Sequence, residues 1–176
     1  ELLGADPEPL GAVIAYFQSA AEPLSDPARL LDRLLSIEEN EPLPADLLDY
    51  LTRLHKLLFL VTKFELTPPE IRLFLARPET FSVRDAFRPD LDDLGHLFTF
   101  TELKTAFGGV DDALIRLLAL PPTSPVVVPA LLAITGWDPP QLQTLMDHFG
   151  ASLPYNRVEN LIRLQRGFAL AETLRV

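Results

Sequence analysis

Apolar residues recur along most of the chain at intervals of three and four positions, which is the period of one helix face. In the longest such segment Leu47, Leu51, Leu54 and Leu58 keep this period, and further apolar positions widen the stripe. We therefore expect this helix to be covered on more than one side. Proline separates the apolar segments, and helices are predicted at 11–21, 27–37, 46–65, 68–77, 112–118, 129–134, 139–149 and 156–171.

Two stretches are less regular. The segment 81–107 is rich in Phe and Leu and is predicted to form shorter helices and turns. Val126, Val127 and Val128 could be extended, but β-branched residues flanked by prolines do not establish a sheet. The predicted fold class is therefore all-α, an irregular bundle of stacked helical hairpins with proline-marked corners and no substantial sheet.

One corner pattern occurs twice. Each copy has an apolar anchor, an N-cap residue, two prolines, a Glu or Gln at the third helical position and an aliphatic residue. A capping box and a hydrophobic staple have this spacing. The copies are Leu66-Thr67-Pro68-Pro69-Glu70-Ile71 and Trp137-Asp138-Pro139-Pro140-Gln141-Leu142. A similar order of aliphatic residues in 57–66 and 161–170 extends the pattern. The repeated unit is therefore a long helix, a corner and a short capped helix, present in two or three degenerate copies.

This repetition predicts two segments, N-terminal short helices over 1–42 and a helical-hairpin module over 43–176. The chain begins with Glu1 and carries no signal peptide, so we interpret it as a fragment of a much larger protein.

Composition removes several function classes. The chain has 15 basic and 25 acidic side chains, a net charge of −10, 17 prolines and no cysteine. Nucleic-acid binding and docking on anionic membranes both need clustered Lys and Arg, so neither is expected. Without cysteine there is no disulfide framework, thiolate nucleophile or zinc–thiolate site. The charged residues within 46–65 argue against a membrane span, and we expect no direct membrane insertion.

Candidate chemistry is sparse. Asp92 and Asp93 lie four and three residues before His96, so these side chains could share a helix face and a metal. The alternative is that both aspartates favour a helix N-terminus through its dipole. Trp137 could mark a ligand pocket, but its place in the corner pattern favours a role as a core anchor. We predict no catalytic, cofactor-binding or metal-binding residue, and hence no enzyme and no cofactor.

The corner motifs carry a family resemblance. The chain resembles the helical region of the large A subunit of bacterial Tc (toxin complex) insecticidal toxins and is similar to the related virulence-plasmid A proteins. In that family an aliphatic helix leads into a "GLS-x-E-L" corner, and a "GW-x-x-x-x-L" corner follows. The residues that match are Phe64-Glu65-Leu66-Thr67-Pro68-Pro69-Glu70-Ile71 and Gly136-Trp137-Asp138-Pro139-Pro140-Gln141-Leu142. The resemblance covers roughly 43–176, with Glu65 in place of the usual glycine and a degraded third corner at 169–171.

The resemblance implies a role. The A subunit is a very large chain that assembles as a pentamer, in which an α-helical shell surrounds a translocation channel and carries receptor-binding modules. This chain would then be a non-catalytic part of the shell of a cell-binding and translocation component, in a secreted toxin. It would contribute rigidity and protein contacts to the rest of its parent chain and to the homo-oligomer.

Two other functions remain open at this point. The chain could be a free-standing helical-repeat adaptor that binds a protein partner in a groove. It could also be a metal-dependent hydrolase that uses Asp92, Asp93 and His96.

Overall fold

The computed structural model describes residues 7–19, 26–37, 42–107 and 112–174. Within these residues all regular structure is helical, which confirms the predicted all-α class. The helices are α1 (Pro7–Ser19), α2 (Pro27–Leu35), α3 (Ala45–Lys63), α4 (Pro68–Ala76), α5 (Leu91–Ala106), α6 (Ala113–Ala119), α7 (Val127–Thr135), α8 (Pro139–Phe149) and α9 (Val158–Leu174), with a 3-10 helix at Pro78–Phe81. Residues 20–21, at the end of the predicted helical segment 11–21, lie outside the described residues.

The chain divides into two compact units, Glu1–Ala76 with Ala86–Arg88, and Arg77–Asp85 with Pro89–Val176. Their limits differ from the predicted segments 1–42 and 43–176. In the first unit α1 packs on α3 and α4, and its core includes the fully buried side chains of Val13, Leu47, Leu57, Ile71 and Phe74.

In the second unit α9 packs on α5 and α8, and α6 packs on α7. The 3-10 helix contacts both α5 and α9. Its Phe81 ring meets Phe100 of α5 edge to face, with 4.9 Å between ring centroids. Both rings are fully buried, so this pair lies in the centre of the second core.

Within the segment 81–107, residues 82–90 form the predicted turns, but Leu91–Ala106 is one helix of 16 residues where shorter helices were predicted. Leu97, Phe100 and Leu103 are fully buried along one face of α5. Its threonines, which by themselves favour turns, donate their hydroxyl groups to carbonyls four residues earlier. Their hydrogen-bonding capacity is therefore satisfied without ending the helix.

The valines at 126–128 enter a helix and are not extended. Val126 has helical dihedral angles and α7 begins at Val127. The Ser124 hydroxyl accepts a hydrogen bond from the Val126 amide at 3.3 Å. Pro129 follows in the first turn, where its missing N–H removes no intrahelical hydrogen bond. The connection is therefore a helix entry.

The turn after α3 is a Schellman motif. The Leu66 amide donates to the Val61 carbonyl at 3.0 Å, and the Glu65 amide donates to the Thr62 carbonyl at 3.4 Å. Glu65 occupies the left-handed position of this motif, with φ of 48°. Glycine usually fills that position because it has no Cβ. Glu65 therefore holds a backbone conformation that is unfavourable for its residue type.

A glycine allows α8 and α9 to approach closely. A Cβ built on Gly167 of α9 would lie 3.2 Å from Leu145 and 3.3 Å from Phe149, both of α8. These distances are tighter than ordinary van der Waals contact. The ring of the neighbouring Phe168 is buried.

Among the helices of the described residues, none combines the length and the apolarity that a membrane crossing requires.

We expect Glu65→Gly to be about 0.5–1 kcal/mol more stable than Glu65→Ala, because relief of about 1–2 kcal/mol of left-handed strain exceeds the added entropy of glycine in the unfolded chain. Urea unfolding of the two variants measures the difference. The alanine variant is the matched control, since both substitutions remove the same carboxylate. Equal stabilities would show that residue 65 is not strained.

Candidate functional site

The first corner joins α3 to α4 and uses a carboxylate to complete a helix start. A Glu70 carboxylate oxygen accepts a hydrogen bond from the Thr67 amide at 2.8 Å. Pro68 and Pro69 lie in the first helical turn, where N–H groups have no intrahelical acceptor. Leu66 and Glu70 are buried, and Thr67 is exposed. The predicted reach of the third helical residue back to the cap is therefore present.

The second corner joins α7 to α8. Here the residue before the helix supplies the capping side chain, whereas at the first corner the third helical residue supplies it. The Asp138 carboxylate accepts a hydrogen bond from the Gln141 amide at 3.1 Å. Pro139 is the first residue of α8, and Pro140 and Gln141 are exposed. Side chains at different positions of the same motif thus start α4 and α8.

Trp137 packs in a group of three rings. Its ring stacks on Phe168 of α9, with 4.0 Å between centroids and 16° between planes. Phe107, at the end of α5, meets the Trp137 ring edge to face at 5.8 Å. Trp137 is half-buried, whereas Phe168 is 4% exposed. The tryptophan therefore anchors its corner against α5 and α9 while part of its surface stays accessible.

The accessible part of this group lines a surface cavity of about 340 Å³. Phe107, Trp137 and Phe168 supply aromatic walls, and Thr135, Gln165 and Glu172 supply polar groups. The α9 residues of the cavity are spaced three and four apart, so they project from one side of that helix. This cavity brings aromatic and polar side chains of α5, α7 and α9 and their adjoining turns together on the surface of the second unit.

Asp93 has a structural role at the start of α5. Its carboxylate accepts hydrogen bonds from the amides of Asp90, at 3.1 Å, and Arg84, at 3.3 Å. In return the Asp90 carboxylate accepts from the Asp93 amide at 3.0 Å, which completes a capping box. Asp93 is 2% exposed and also lies 3.6 Å from the Arg84 guanidinium. Burial of this charge is tolerated because the carboxylate is both hydrogen-bonded and paired.

The side chains of Asp92, Asp93 and His96 do not form a metal cluster. Asp93 is buried and bonded to backbone amides, whereas Asp92 is exposed and His96 is half-buried. Across the described ranges, no group of three His, Cys, Asp or Glu side chains could hold a metal ion. Consecutive helical residues project about 100° apart, which separates Asp92 from Asp93.

Side chains distant in sequence complete the C-terminal end of α6. The Arg77 guanidinium donates to the Leu118 carbonyl at 2.8 Å, and the Asn156 side-chain amide donates to the Leu120 carbonyl at 2.6 Å. Carbonyls at a helix end carry partial negative charge, which favours a cation such as Arg77. Neither role could be predicted from the sequence, because neither residue lies within 35 positions of its acceptor.

The loop between α8 and α9 is held by two more polar side chains. The Tyr155 hydroxyl lies 3.1 Å from the Met146 carbonyl and 2.9 Å from the Gly150 carbonyl, and can donate to either. The Asn160 side-chain amide donates to the Pro154 carbonyl at 3.1 Å. Tyr155 and Asn160 are both buried. In the sequence, the segment Pro154-Tyr155-Asn156 is the feature that could have indicated this loop.

Comparisons with family models, curated proteins and solved structures found no match to this chain.

We expect Asp93→Ala to lower the free energy of unfolding by about 2–3 kcal/mol, because two backbone amides lose their acceptor. Asp92→Ala is the matched control, since it removes an exposed carboxylate one position away. It should cost at most about 1 kcal/mol through the helix dipole. Chemical denaturation measures both, and equal losses would contradict the assigned role of Asp93.

Burial raises the pKa of the Tyr155 hydroxyl above its ordinary value of 10.0, and the nearby Asp147 carboxylate adds to this, while Arg163 partly opposes it. As the pH rises, Tyr155 therefore loses its proton at a lower pH in the unfolded chain than in the folded protein. Its contribution to the free energy of unfolding is fully present below pH 10 and decreases as the pH rises beyond it. Spectroscopic tyrosine titration should show one hydroxyl ionising late. Tyr155→Phe should remove that step and flatten the loss of stability above pH 10. A late step that survives in Tyr155→Phe would assign the raised pKa to another tyrosine.

Proposed function

We propose that the chain is a non-catalytic helical module that supplies rigidity and protein contacts within a larger assembly. The proposal rests on the hydrogen bonds that the buried polar side chains make. Those of Glu70, Asp93, Asn156 and Asn160 each bond a backbone group at a helix end or in a loop. A reaction centre needs such groups directed at a substrate, whereas here they stabilise the corners between helices.

The resemblance to the Tc toxin A subunit gives this module a setting. The two corners that carry the resemblance are helix entries, one completed by Glu70 and the other by Asp138. Rigid corners between short helices suit a shell that has to keep its shape around a channel. We propose that the chain is part of such a shell, in a secreted cell-binding and translocation component that assembles as a pentamer.

A free-standing adaptor that binds a protein partner is the second candidate, and the cavity beside Trp137 favours it. Its aromatic walls and polar groups are typical of sites that recognise a protruding side chain. Both candidates assign protein contacts to the chain. They differ in whether its reading frame encodes a much larger protein.

Sequencing the gene that encodes the chain tests the choice between them. The shell proposal requires a reading frame that continues far beyond 176 residues and encodes further helical shell and a channel-forming region. Electron microscopy of the purified whole protein should then show a fivefold assembly. A reading frame that ends near Val176 would exclude the shell and favour the adaptor.

A further inference from the structure

The cavity beside Trp137 combines aromatic surfaces with an acidic group. Trp137 and Phe168 lie nearly parallel, and Phe107 stands close to perpendicular to Trp137. Glu172 lies one helical turn after Phe168 on α9, so its carboxylate projects from the side of the helix that carries this ring. The cavity therefore has electron-rich aromatic walls with an acidic side chain at its edge.

The charge of Glu172 is available to a ligand. The side chain is exposed, and in the part of the chain that the structure describes it makes no ion pair. Glu102 of α5 is different, because its carboxylate pairs with Arg166 of α9 at 3.2 Å. The Gln165 amide, which also lines the cavity, adds a second hydrogen-bond acceptor.

These groups select one class of ligand. Aromatic faces attract cations, and a carboxylate and an amide oxygen accept hydrogen bonds from N–H groups. A guanidinium satisfies both, because its flat face stacks on an aromatic ring while its edge donates to a carboxylate. A quaternary ammonium has no N–H to donate to Glu172 or Gln165. The volume of about 340 Å³ is at the small end of ligand pockets and suits one side chain.

We propose that this cavity binds the arginine side chain of a basic segment of a protein partner. The inference rests on the proposed role in protein contacts and names the chemistry of one such contact. The net charge of −10 complements a basic segment, whose other residues would add electrostatic attraction. The arginine occupies the cavity, with its guanidinium against the accessible parts of Phe107 and Trp137 and its N–H groups toward Glu172.

Trp137 is the only tryptophan in the chain, so its fluorescence reports on this cavity directly. The test titrates the purified chain with the capped peptide Gly-Gly-Arg-Gly-Gly. Matched peptides carry citrulline, lysine or trimethyl-lysine at the central position. Citrulline keeps the shape of arginine without its charge. We expect saturable binding of the arginine peptide and at least about tenfold weaker binding of the citrulline peptide, since the charge-assisted and cation–π contacts are lost.

Two variants locate the binding. Glu172→Gln should weaken the arginine peptide about threefold to tenfold, since an exposed carboxylate contact is lost. Glu159→Gln removes the same charge from the first turn of α9, about 20 Å away along the helix, and should change the affinity less than twofold. Phe107→Leu should also weaken binding, because it keeps an apolar side chain but removes the ring. Circular dichroism confirms that each variant remains helical.

Three results would overturn the proposal. One is the absence of a saturable fluorescence change with the arginine peptide. Another is an equal loss of affinity in Glu172→Gln and Glu159→Gln, which would indicate non-specific attraction to an acidic protein. The third is binding of the trimethyl-lysine peptide as tight as that of the arginine peptide. None of them depends on the reading frame, so failure of this inference and failure of the proposed shell role are observed separately.

Discussion

Every helix end leaves backbone N–H or C=O groups without an intrahelical partner, and this structure depends on how those groups are satisfied. The described residues contain nine α-helices, several of only seven to nine residues, so helix ends are frequent. Proline at the first helical positions removes some of the unpaired N–H groups. Side chains supply partners at several other ends, from Glu70 at the first corner to Asn156 at the end of α6, and backbone bonds close the turn after α3. Where such a backbone group is buried, loss of its hydrogen bond costs about 1–3 kcal/mol.

The same requirement explains why carboxylates are buried in a protein with so acidic a composition. A buried carboxylate is unfavourable unless hydrogen bonds compensate for its lost hydration. Glu70 and Asp93 meet this condition because each accepts from backbone amides at the start of a helix. Their burial is therefore a consequence of capping. The cavity beside Trp137 has the opposite character, since Glu172 is exposed at its edge.

Helix positions could be predicted wherever apolar periodicity and proline coincide, and α8 begins and ends at the predicted residues, 139 and 149. The all-α class follows from the same pattern. The continuity of α5 could not be predicted, because threonines favour turns by themselves. Only the structure shows that their hydroxyl groups donate to carbonyls within the helix. The corner residues of the site could be identified because capping acts over three residues. The partnership of Asn156 with Leu120 could not, because it depends on tertiary packing. Trp137 could be named as a possible pocket marker, but the other residues of the cavity could not be predicted, since α5 and α9 have to meet before Phe107 and Phe168 flank Trp137.

The hydrogen bonds of the first corner have a consequence for the order of folding. The Schellman bonds after α3 and the Glu70 bond before α4 each join residues at most five positions apart. Closing such short loops costs little chain entropy and takes well under a microsecond. We therefore expect the direction change between α3 and α4 to be sampled in the collapsed chain before α1 docks on either helix. The slow step would then be the assembly of already-turned hairpins, and the corner would act in the folding pathway as well as in the folded state.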